Sequence, residues 1–361
     1  MRLRLEARIE TSRGMRIAAP LLALGLTIAS GALLFAALGR DPLVGLYTFF
    51  IAPVSDLDGA AELFLKATPL VLCALGLAIG FRGNVWNIGA EGQLVIGAVA
   101  AGGVALAFHG TGGWWVLPLM ILAGGLGGMA WAAVPALLKT RFNANEILTS
   151  LMLTYAAIHI LGYLVHGPWR DPSGYNFPET RIFEDWAQIP ILIEGTRLHV
   201  GVFAAVVAVA ACWIFTSRSF LGFQIDVAGQ AVAAADYAGF SRKRVIWVSF
   251  LISGGLAGLA GMAEAAGPLG QLNATFAPGY GFAAIIVAFL GRLHPVGVTI
   301  AGILMALLFL GGEALQVEMK LPKAVTGVFQ GMLLFFVLAC DVLIRYRLRL
   351  SSTEAHRVAD V

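Results

Sequence analysis

Apolar runs close to the length of a membrane crossing recur from one end of the chain to the other. Short clusters of glycine, polar and charged residues separate them. A helix needs about 20 apolar residues to cross a bilayer. Hydrocarbon offers no partner for backbone N–H and C=O groups, so such runs form helices that satisfy their own. Ten segments fit: 17–38, 63–81, 88–108, 114–138, 147–165, 199–216, 245–266, 281–291, 296–315 and 324–344. The eighth is short and flanked by glycine. The pattern predicts an all-α polytopic membrane protein of about ten transmembrane helices. Its transmembrane domain covers 17–345, between tails at 1–16 and 346–361. The first run, Ile17–Leu38, has 22 residues and no small-x-small cleavage site after it. It therefore reads as a span, since a signal-peptide core has roughly 7–15 residues.

Charge orients the pattern. With the N-terminus inside, 17 Lys and Arg fall on inner segments and 7 on outer ones, the bias expected of cytoplasmic loops. Both termini are then cytoplasmic, as an even number of spans requires. The longest outer loop, 166–198, holds prolines, aromatics and carboxylates. It reads either as a plain connector or as a docking surface for an external partner. The longest inner loop between spans is 217–244. Ten spans divide as five plus five, and an odd number per half inverts the second half. The polar stretch NVWNIGAEGQ opens span three, and GPLGQLNATFAPGYGF opens span eight at the opposite end. Glycine-interrupted segments at matching places in inverted halves mark central substrate sites in transporters.

Composition changes little beyond this. Hydrophobic residues make up 59% of the 361 and charged residues 12%, far from the balance of a soluble domain. Cys73, Cys212 and Cys340 lie inside apolar runs and read as membrane-core residues. The six histidines are scattered, mostly at span ends, and no metal site is expected. The chain has no G-x-x-x-x-G-K-[ST] phosphate loop and so does not bind ATP by that route. No cofactor and no nucleic acid are implied.

The stretch RGNVWNIGAEGQ, Arg82 to Gln93, concentrates polar groups in oily surroundings. Positions four apart share a helical face, so Asn87 and Glu91 are expected on one stripe, with Asn84 and Trp86 at its entry. A membrane-embedded carboxylate costs a few kcal/mol unless paired or hydrated, which makes Glu91 a functional candidate. Arg82 is its nearest cation in sequence. The competing reading is an interfacial helix start, with Trp86 as anchor, an asparagine cap and Glu91 favoured by the helix dipole. Candidates for a substrate path are Asn84, Trp86, Asn87, Glu91, Gln93, Tyr280 and Phe282. The amides supply donors and acceptors, and the rings supply flat apolar faces.

In the inner loop, Gln230–Ala238 is helix-prone. Gly239 can end that piece, and Ser241 can cap the next helix. The segment reads as a connector or as a contact element for a cytoplasmic partner. The runs GGLGGMA and SGGLAGLAG permit tight helix packing.

In order, NVWNIGAEGQLVIGA, NANEILTSLMLTY, AAADYAGFSRKRV with SGGLAGLAG, and GYGFAAIIVAFLG with HPVG resemble the permease subunits of ABC importers. The type is that of simple sugars, nucleosides and branched-chain amino acids, and the resemblance runs over roughly 60–345. N-I-G-x-E-G-Q resembles the nucleoside branch. The resemblance implies a nucleoside permease of the bacterial inner membrane without its own ATPase site. It implies as partners a second permease, a cytoplasmic ATP-binding subunit and an extracytoplasmic, often lipid-anchored, binding protein. Its coupling helix would be Val232, Ala233, Ala234, Ala235, Asp236, Tyr237, Ala238 and Gly239. The family usually carries an arginine just before that helix, whereas FQIDVAGQ here carries Asp226. Alternatives are a permease for a simple sugar such as ribose, or a stand-alone ion-coupled transporter.

Overall fold

The computed structural model describes residues 2–7, 13–276 and 278–351. Its helices, in order, are α1 (Arg13–Ala37), α2 (Pro42–Phe50), α3 (Leu57–Arg82), α4 (Ala90–Ala107), α5 (Val116–Phe142), α6 (Glu146–His166) and α7 (Gly201–Arg218). There follow α8 (Phe220–Gln230), α9 (Val232–Tyr237), α10 (Arg242–Glu264), α11 (Tyr280–Leu290), α12 (Pro295–Glu318) and α13 (Ala324–Arg345). The chain forms two compact units, residues 53–310 and residues 1–52 with 311–361, and the boundary falls inside α12.

Each of the ten expected spans coincides with a helix. Among the described residues, eight helices are long and apolar enough to cross a membrane. The expected eighth span is α11, with 11 residues. At 1.5 Å per residue it covers about 16 Å, half of a hydrocarbon core. The tenth, α13, has 22 residues, Ala324–Arg345. Ten full-length crossings are therefore not what the helices provide.

In the unit 53–310, α3 is buried without interruption from Ala67 to Phe81. A helix apolar on every face is one enclosed by others, and α3 packs against α7, α10 and α11. The small-residue runs do what packing asks of them. A Cβ on Gly258 of α10 would overlap the Gly124 carbonyl of α5, and one on Gly128 would overlap that of Gly254. The two backbones are in direct contact. The 166–198 loop is tied down by Thr180 N–H to Leu272 O (2.9 Å), Phe183 N–H to Gly270 O (2.7 Å) and Ile189 N–H to Ala266 O (2.8 Å). Phe183 and Ala187 of this loop are buried.

In the other unit, α1 packs against α2 and α13, with Phe49 stacked on Phe329 at 4.2 Å and Phe35 beside it at 5.7 Å. The sequence reading missed α2. Its N-cap is Asp41, which accepts from the Leu43 and Val44 N–H groups, and Pro42 opens the helix. Nine residues are too few to register as a span. The chain is helical as expected, with one short strand pair added between the expected tails. β1 (Arg2–Ala7) pairs antiparallel with β2 (Tyr346–Ser351), Arg2 opposite Ser351 and Ala7 opposite Tyr346. RLRLEA and YRLRLS both alternate with period two, the strand pattern.

Candidate functional site

The chain leaves α3 at Arg82 through a Schellman turn. Val85 N–H reaches Gly80 O (2.9 Å) and Asn84 N–H reaches Phe81 O (3.1 Å). Asn84 takes the left-handed conformation this turn requires, φ 54°, which asparagine tolerates. Residues 85–89 have no regular structure, and α4 begins at Ala90. Asn87 therefore precedes the helix, and the expected stripe shared by Asn87 and Glu91 does not form. Side chains hold the segment out of the helix by competing for its backbone. Ser150 of α6 accepts from Ile88 N–H (3.1 Å), and Asn87 Oδ1 accepts from Gly89 N–H (2.9 Å).

Asn87 is 2% exposed. Its Nδ2 donates to Gln93 Oε1 and to Ser253 Oγ of α10, both at 2.9 Å. Its Oδ1 also accepts from Gln93 Nε2 at 3.1 Å. Two donors and two acceptor sites complete an amide, so Asn87 spends all four bonds inside the chain. Glu91, 1% exposed, reaches across to α11. One carboxylate oxygen accepts from Gly279 N–H (2.8 Å), the other from Gly281 N–H. It thus serves as a remote cap for the free N–H groups at the start of the half-length helix, where the dipole also favours negative charge. Gly281 lies so close that a Cβ there would overlap the Glu91 backbone. Arg82 is not Glu91's partner. It forms a two-pronged pair with Asp226 of α8, Nε to Oδ1 at 2.8 Å and Nη2 to Oδ2 at 3.1 Å.

The remaining candidates are more open. Trp86 is half-buried, with its ring 5.1 Å from Phe81 and 6.0 Å from Phe289. Its Nε1 donates to Asn84 Oδ1 (2.8 Å), and Asn84 is exposed. Both line a cavity of about 220 Å³ together with Lys139, Glu146, Val232 and Arg242. Lys139 and Glu146 pair at 2.9 Å. Tyr280 is buried edge-on to Phe309 (5.3 Å), whereas Phe282, two residues on, is exposed.

The helix expected near Gln230–Ala238 is α9, and it starts at Val232; Gln230 ends α8 instead. Gly239 (φ 72°) and the bonds Phe240 N–H to Ala235 O and Gly239 N–H to Asp236 O close it with a Schellman turn. Ser241 caps α10 as expected. Ala235 is buried, while Val232, Ala233, Ala234, Asp236, Tyr237, Ala238 and Gly239 are exposed, Tyr237 at 97%. Sequence reasoning missed Ser150, Ser253, Asp226 and Phe289 as partners of the polar stretch. None of them is near it in the chain, and each lies in an otherwise ordinary helix.

A family model described as "Branched-chain amino acid transport system / permease component" matches residues 59–338. The glucose ABC transporter permease protein of Haloferax volcanii is 36% identical, over 96% of this chain and 93% of its own length. The guanosine ABC transporter permease protein of Bacillus subtilis is 32% identical over 88% and 92%. The nucleoside ABC transporter permease protein of Lactococcus lactis is 25% identical over 89% and 90%. No solved structure matches the chain significantly. With its apolar helices and a family match over most of its length, the chain belongs to the branched-chain amino acid transport system permease family, as a multi-pass ABC transporter permease subunit whose ATP is hydrolysed by a separate subunit.

Proposed function

We propose that this permease carries nucleosides into a bacterial cell through the cytoplasmic membrane. The observation that carries the reading is the pairing of the Trp86 ring with the exposed Asn84 amide at one cavity. An indole stacks on a base, and an amide reads its edge. Relatives that act on guanosine and nucleosides, matched over nearly their full length, support it. Asn84, Trp86 and Phe282 then contact the substrate. Asn87, Glu91, Gln93 and Tyr280 shape the path from behind.

In this reading α9 faces a cytoplasmic ATP-binding subunit. A second permease completes the path, and an extracytoplasmic binding protein delivers substrate to the 166–198 side. Both termini lie in the cytoplasm. The pairing of β1 with β2 supports a shared side, and the Lys and Arg distribution supports which side. The half-length α11 and the stretch before it make one crossing, which with α13 gives ten in two inverted sets of five.

A glucose-type sugar is the second reading, favoured by the Haloferax volcanii relative. Uptake of labelled guanosine, glucose and ribose by cells with and without this gene separates the two. Loss of guanosine uptake alone is the expected result. Loss of sugar uptake alone overturns the nucleoside reading.

A further inference from the structure

The Arg82–Asp226 pair stands where two features meet. On one side is α8, which leads into α9 through Ala231. Ala231 N–H bonds Val227 O (2.9 Å), and Ala235 N–H bonds Ala231 O (3.0 Å), so the two short helices are hydrogen-bonded through their junction. On the other side, Arg82 is the last residue of α3 and opens directly into the 83–89 segment. That segment carries Asn84 and Trp86 and is knotted by Asn87 to α10.

The contact between the two sides has no slack. A Cβ on Gly229 of α8 would overlap the Arg82 carbonyl oxygen, and one on Gly83 would press on Ile225 and Val245. The guanidinium and carboxylate meet fork to fork, a geometry that fixes orientation as well as distance. Asp226 is the only charged residue in α8. Both side chains are about three-quarters shielded, at 26% and 27% exposure, so water weakens the pair less than it weakens a fully exposed one.

We propose that the Arg82–Asp226 pair transmits movement of α9 to the 83–89 segment, and so couples the ATP-binding subunit to the substrate path. The proposal rests on α9 being the element that faces that subunit. When α9 shifts, α8 shifts with it. The fork and the Gly229 contact then pull on the end of α3 and on the turn that holds Asn84 and Trp86. Arg82 and Asp226 are positioning residues that act through that turn.

The test needs no knowledge of the transported molecule. Asn84 is exposed, and Cys73, Cys212 and Cys340 are buried, so Asn84→Cys is the accessible thiol for a maleimide probe. The complex is purified through a tag on this chain and reconstituted, and labelling is timed with and without ATP. In the Asn84→Cys background, ATP is expected to change the labelling rate by about fivefold. Arg82→Asp or Asp226→Arg alone removes that response while the ATP-binding subunit still co-purifies, and the double exchange restores it. Singles that keep the full response, a double exchange that recovers none of it, or no ATP response in the background each overturn the proposal. Tyr237→Asp separates the claim beneath it. If that variant leaves the ATP-binding subunit bound as before, α9 is not the docking element, and the proposal falls for that reason rather than through the charge pair.

Discussion

Glu91 illustrates what a buried carboxyl group does in this chain. Its oxygens accept from backbone N–H groups at the α11 start, those of Gly279 and Gly281 among them, which keeps a buried carboxyl group hydrogen-bonded away from water. Glu91→Gln leaves one acceptor oxygen and turns an NH₂ toward a donor. The expected loss is about 1–3 kcal/mol, read as a lower unfolding midpoint in detergent. Ser150→Ala removes the acceptor of Ile88 N–H and is expected to cost about 1 kcal/mol in the same measurement. At this scale the sequence spoke clearly about where polar groups collect and poorly about what they hold. Asn87, Glu91 and Gln93 stood out in an apolar chain. Their partners, Ser253 and two backbone N–H groups near residue 280, lie far along the chain and carry no distinguishing mark of their own.

Helices tell the reverse story. Every apolar run of near-span length became a helix, because hydrocarbon-length runs leave the backbone no other solution. Short elements escaped. α2 and α8 carry good capping residues, Asp41 and Ser219, yet α2 has only nine residues and α8 mixes Gln224, Asp226 and Gln230 into its apolar positions. The α5–α10 seam was legible as glycine runs, and its function is contact. Gly258→Ala is expected to destabilise by about 1–3 kcal/mol, because its Cβ meets the Gly124 carbonyl. Gly25→Ala in α1, with nothing within 4 Å of its Cβ, is the control and should not lower the melting midpoint, alanine being the better helix former.

At the scale of the whole molecule, family membership displaces the stand-alone, ion-coupled alternative. The fold class was readable because membrane helices are written in composition. The division into two units was not, because it depends on which helices meet, and the apolar faces of α1 and α13 look like any others. The terminal ribbon was visible only as two alternating hexapeptides, 346 and 2 being too far apart to suggest each other. A variant with proline at both Leu5 and Leu348 disfavours the strand pairing. It is expected to leave the unit 53–310 as resistant to protease as before, while the chain ends become cleavable.

The packing of α1 on α13 also sets an order of events during synthesis. α1 leaves the ribosome roughly 290 residues before α13 does. At about 5–20 residues per second, α1 waits roughly a quarter of a minute to a minute before α13 exists, with only α2 beside it until then. For that interval its Ala19 and Ala23 face, buried in the finished chain, has only lipid or an insertion chaperone against it. The insertion of α1 and its final packing are thus separate events, divided by most of the synthesis of the chain between them.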